Sequence, residues 1–139
     1  MTPEILFFSI IALYVSYIDL KYQVIPDAIM FPAITGLFAI MLFQRDDIML
    51  MLLTVMSIFV LFSLPILIGL PFGGGDIRFA IFVALLLPIK GVVLFLMMSG
   101  VVHILLLALS REKILGFAPS MTISAIMVYF LHPQIWSLL

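Results

Sequence analysis

The charged residues of this chain sit at the ends of long apolar runs or in the short breaks between them, and that spacing limits the fold more than any other feature. A helix needs about 20 apolar residues to cross ~30 Å of bilayer hydrocarbon. The runs Ile5–Ile18 (continued towards Asp19), Ala28–Phe43, Ile48–Leu70, Ile77–Pro88, Val92–Leu109 and Phe117 to the C-terminus predict six membrane helices. Pro26-Asp27 starts the second, and Gln44-Arg45-Asp46-Asp47 stops it. Pro65 predicts a kink in the third. The fourth is short, which predicts a tilted helix or one shielded by its neighbours. A single helix spanning the fourth and fifth runs, broken at Pro88 and Gly91, is the alternative. The expected fold class is therefore all-α, a polytopic membrane bundle forming one domain over residues 1–139.

Composition sharpens this reading. Soluble domains are about half apolar and a quarter charged; this chain is 66% hydrophobic and 9% charged. Its net charge of −1 argues against nucleic acid as a partner. It has no cysteine, which excludes disulfides, thiol catalysis and Cys-ligated zinc. No basic segment precedes Ile5 and no small-residue cleavage site follows the first run, so that run reads as a span.

A carboxylate bordering hydrocarbon is costly and is a functional candidate for that reason. Asp19 ends the first run, and Asp76 follows Gly73-Gly74-Gly75. With six spans, the loops at Asp19–Asp27, Leu70–Asp76 and Ser110–Gly116 share one face, so the two aspartates can meet. That face carries Lys21, Arg78, Arg111 and Lys113, against Arg45 and Lys90 on the other. The excess of basic residues places it in the cytoplasm. If the two carboxylates share a water, like-charge repulsion makes them titrate as a unit, one ionised and one protonated. Such a pair can activate water and polarise an amide carbonyl.

Blander readings stand beside these. Asp19 can mark a membrane boundary, although Tyr14, Ser16 and Tyr17 before it suggest a wet interior, with Ser16 on the same helical face. Asp76 can be a helix N-cap, with the glycines allowing either positive φ or close backbone approach. Asp27 is expected to cap the second helix. Arg78 can meet a lipid phosphate, a substrate carboxylate or interfacial water. His103 lies mid-span with no partner at metal-ligand spacing and reads as a packing residue; no metal and no cofactor are expected. His132 and Trp136 read as interfacial, and the ten methionines as packing or lipid-facing residues. Phosphate-loop, dinucleotide and serine-hydrolase motifs are not present.

Two motifs resemble those of the type IV prepilin peptidases and their preflagellin relatives, a family of membrane-embedded aspartyl proteases. One is Asp19 followed at a fixed distance by Ile25-Pro26-Asp27; the other is Gly73-Gly74-Gly75-Asp76 with basic Arg78 beyond it. Gly116-Phe117-Ala118-Pro119 is a looser version of a late Pro-Phe-Gly-Pro-like stretch. The Gly-x-Gly-Asp pattern is shared with presenilin-like proteases, and the Asp-to-Ile-Pro-Asp spacing points to the prepilin branch. The resemblance implies that Asp19 and Asp76 are catalytic, and that Gly73, Gly74, Gly75 and Arg78 shape the loop or bind substrate. It also implies a prepilin or pseudopilin substrate in the same cell membrane, cut at the cytoplasmic face. Larger relatives carry a cysteine-bearing cytoplasmic segment and methylate the new N-terminus. That segment has no counterpart here, which speaks against methyl transfer. The chain is closest in size to the compact enzymes of Flp/Tad-type or archaeal systems. Oligomeric state is not legible.

The rival reading from another class is a small proton-coupled transporter using the same aspartates. A carrier wants its carboxylates near the midplane, whereas both are expected here at helix ends on one face. A structural subunit would leave the three glycines without a purpose.

Overall fold

The structure, a computed structural model, describes residues 2–44, 47–69, 73–110 and 115–136, with side chains of the last helix as far as Leu131. Arg45, Leu70, Pro71, Phe72, Arg111, Lys113 and the side chains of His132 and Trp136 lie outside it. Among the described residues there are six helices and no strand: α1 (Pro3–Tyr22), α2 (Asp27–Gln44), α3 (Ile48–Leu67), α4 (Gly74–Leu86), α5 (Ile89–Ser110) and α6 (Ala118–Trp136). Helices α1, α2, α3 and α5 are long and apolar enough to cross a membrane.

The helix boundaries follow from local chemistry. Pro3 opens α1, where its missing N–H costs nothing. The Asp47 carboxylate caps α3 by accepting the Leu50 N–H at 3.2 Å. Pro65 falls in the last turn of α3, which ends at Leu67. The chain then turns through Gly69 at φ 79. Between α4 and α5 the chain breaks at Leu87, which is extended (φ −94, ψ 145) because Pro88 disfavours a helical conformation in the residue before it. That excludes one merged helix. Gly91 is no breaker; it lies buried within α5.

Helix α4 has 13 residues, about 20 Å long. It is shorter than the hydrocarbon and survives because it is the hub of the bundle. It touches each of the other five helices, which wrap it in the order α3, α5, α6, α1, α2. Eight of its residues are buried, from Ile77 to Leu86. A helix apolar all round belongs in a core.

In lipid, helices associate through packing and interhelical hydrogen bonds, since hydrocarbon surrounds them either way. Phe8 of α1 stacks on Phe82 of α4 at 4.9 Å between centroids, and Phe79 flanks both; all three are fully buried. Aromatic pairs of this kind contribute about 0.5–1.5 kcal/mol each. Helices α1 and α6 run antiparallel and are tied at both ends. Tyr129 meets Thr2 at 2.7 Å and donates to Glu4 at 3.2 Å, while Ser16 bonds Thr122 at 2.7 Å near the other end. Each such bond is worth roughly 0.6 kcal/mol, up to about 2. These ties fix which residues of α6 reach the end of α1 that carries Asp19.

Candidate active site

Asp19 lies in the last turn of α1 and is only 4% exposed. Its polar neighbours on α1 divide differently from the expectation of a wet strip. Ser16 is buried and partnered by Thr122, which also donates to the Ala12 carbonyl, whereas Tyr14 and Tyr17 point outward. The face below Asp19 is therefore sealed by α6.

What meets the Asp19 carboxylate is the start of α6. The backbone N–H of Ala118 donates to Asp19 Oδ2 at 2.9 Å. Amides at a helix start lack intrahelical partners and attract negative charge. Gly116 packs so closely on α1 that a Cβ there would strike the Asp19 carboxylate and lie 2.9 Å from the Asp19 carbonyl oxygen. The turn is braced from α5. The half-buried ring of His103 stands edge-on to Phe117 at 4.8 Å, and its Nδ1 lies 3.3 Å from Ser120 Oγ. Ser120 also donates to the Phe117 carbonyl at 2.6 Å. His103 thus packs, as expected, but it packs against the segment that seats Asp19. Among the described residues no cluster suited to a metal ion occurs.

Asp76 arrives from α4. The N-cap of that helix is Gly73, and Asp76 is the third residue inside it, so Asp76 is not the cap. Its Oδ2 folds back over Gly73, where a Cβ would sit 2.9 Å away. The glycine run serves close approach and not positive φ, since among the described residues Gly69 is the glycine with positive φ. The approach is tightest at Gly75: a Cβ there would lie 2.7 Å from Ile25 Cβ and 3.4 Å from the Ile25 carbonyl oxygen. Gly74 is the free one of the three, with Arg78 Nη1 at 3.9 Å as its nearest neighbour.

The two motifs are consequently folded onto each other. Ile25 is buried beneath Gly75, and one residue pair locks the arrangement from outside: Arg78 donates to Asp27 Oδ1, with its guanidinium 5.3 Å from the centre of the Phe31 ring. This differs from the expected cap at Asp27. Asp27 is the first residue of α2, not its cap. Pro26 precedes the helix and its carbonyl accepts the Ile29 and Met30 amides, leaving the Asp27 side chain to turn towards α4. Arg78 takes a carboxylate of its own chain.

Between the motifs lies a cavity of about 200 Å³ lined by Asp19, Gln23, Val24, Ile25, Gly73, Gly75 and Asp76. Both aspartates open onto it, Asp19 from the last turn of α1 and Asp76 from the first turn of α4. Sequence reasoning missed Gln23, which sits in the spacer between Asp19 and Ile25. It is the non-glycine residue with positive φ among the described residues (φ 53, ψ 36), and its N–H donates to the Asp19 carbonyl at 2.9 Å as α1 ends.

A sequence model of the type IV leader peptidase family matches residues 6–109. The chain belongs to that family. No curated protein and no solved structure matches it. The leader peptidase match covers α1 through nearly all of α5, including Asp19, the Ile25–Asp27 loop and Asp76. It stops short of Gly116–Ser120, so the segment that seats Asp19 in this chain lies beyond the matched region.

Proposed function

We propose that this membrane protein is an aspartyl endopeptidase that removes the short N-terminal leader of type IV prepilins or pseudopilins. The observation that carries the proposal is the cavity at one end of the bundle onto which both Asp19 and Asp76 open. In this reading the ionised carboxylate takes a proton from water, whose oxygen attacks the scissile carbonyl carbon. The protonated carboxyl hydrogen-bonds the carbonyl oxygen and then releases its proton to the departing amine. The C–N bond breaks, and the pair returns to one shared proton. The site opens at the end of a bundle embedded in lipid, which suits a substrate anchored in the same membrane. Lys21 and Arg78 flank that end and Lys90 lies at the other, in line with a cytoplasmic site.

The test is cleavage of a prepilin-like substrate reconstituted with the protein in liposomes, comparing wild type with Asp19→Asn and Asp76→Asn. Asparagine keeps the shape and removes the acid–base function. Loss of cleavage in both folded variants is the expected result. Cleavage surviving either substitution would remove that residue from the pair.

A further inference from the structure

Three polar side chains line the cavity: the two aspartates and Gln23. The aspartates have their work in the proposed reaction, activating water and protonating the leaving amine. Beyond the scissile carbonyl, neither is left to hold the substrate's main chain.

Gln23 is placed for that task. Its backbone is pinned in the left-handed region, with its N–H on the Asp19 carbonyl, so the side chain leaves the end of α1 in a direction set by the same turn that carries the aspartate. The residue is exposed, at the mouth of the cavity, beside exposed Val24 and above buried Ile25. A helix closing in this conformation favours glycine, which has no Cβ to crowd the following carbonyl. A carboxamide offers two N–H donors and one carbonyl acceptor, the complement of a peptide unit. It is also neutral, so it neither neutralises nor repels the carboxylate pair.

We infer that the Gln23 side-chain amide hydrogen-bonds the main chain of the bound polypeptide next to the scissile bond, making it a substrate-binding residue of the cavity. The inference rests on the peptidase reading. It assigns to the cavity an extended, backbone-exposed peptide, which is what a leader segment offers before the hydrophobic helix of its substrate begins.

Two variants separate binding from structure. Gln23→Gly removes the amide and relaxes the backbone; Gln23→Met removes the amide and keeps side-chain length. Steady-state cleavage of a synthetic peptide with a short basic leader and an apolar segment gives KM and kcat. Fluorescence anisotropy of the same labelled peptide, on the Asp76→Asn background to prevent turnover, gives Kd. Both variants are expected to raise KM and Kd by about two- to tenfold, the range for one lost hydrogen bond. Their kcat should stay within about twofold of wild type, and the melting temperature of Gln23→Gly should be unchanged or higher. Unchanged KM and Kd in both variants would overturn the inference, as would a loss of activity that tracks a lowered melting temperature. A wild type that binds the peptide without cutting it, with binding weakened in both variants, would sink the peptidase reading and support the role of Gln23. A wild type that neither binds nor cuts would sink both.

Discussion

Gly75→Ala tests the packing of the two motifs directly. The added Cβ would sit 2.7 Å from Ile25 Cβ. Carbon atoms in contact prefer about 3.5–4.0 Å, so roughly 1 Å must be found. A Cβ cannot rotate away, and the Ile25 carbonyl stands 3.4 Å off on the same side, so the relief has to come from backbone movement. Overpacking of this kind costs about 1–3 kcal/mol. Alanine is worth about 1 kcal/mol more than glycine inside a helix, so the net destabilisation is about 0–2 kcal/mol and the protein stays folded. Activity suffers more. Asp76 is the next residue, and a shift of about 1 Å at a reacting group can cost roughly 100-fold in rate. The built-in control is Gly74→Ala, the same chemical change one residue earlier, where the nearest neighbour is Arg78 Nη1 at 3.9 Å. That variant should be at least as stable as wild type and cleave at nearly its rate. The assay is initial cleavage rate in proteoliposomes beside a thermal unfolding curve for each variant. Equal rates for Gly74→Ala and Gly75→Ala would refute the argument that close approach to Ile25 positions Asp76.

Gly116→Ala should reduce cleavage by at least about 100-fold, because its Cβ would displace the Asp19 carboxylate from the Ala118 N–H; wild-type rates would show that α6 does not position Asp19. The Arg78–Asp27 pair is half exposed, with side chains 32% and 54% accessible, so Arg78→Gln should lower stability by less than about 1 kcal/mol in chemical denaturation. Cleavage should fall with it, and the exchange Asp27→Arg with Arg78→Asp should recover a large part of the rate. Failure of the exchange, with Arg78→Gln strongly impaired, would mean that Arg78 acts on substrate.

Much of this architecture was written in the residue order. Apolar runs punctuated by charge specify membrane helices, because length and hydropathy alone decide whether a helix suits hydrocarbon. Counting the spans put Asp19 and Asp76 on one end, and the break at Pro88 was marked by a residue whose sterics act locally. Partners are another matter. Nothing along the chain says that a 13-residue helix becomes the hub, since its apolar surface would look the same facing lipid or protein. Likewise Asp27 and Arg78 are 51 residues apart, and an aspartate after a proline at a helix start reads as a cap until a cation from another helix competes for it. Gln23 drew no expectation, because what distinguishes it is a φ angle and a place in the cavity lining. Asp19 itself was visible as a costly carboxylate, but its acceptor role towards Ala118, 99 residues on, is fixed by how α6 docks on α1. The sequence therefore determined which groups could do chemistry and at which end of the bundle, because solvation and helix count act along the chain. Tertiary structure alone decided which glycines must be glycine, which charges neutralise each other and which side chains face the cavity, because those depend on contacts of a few ångströms between helices remote in sequence.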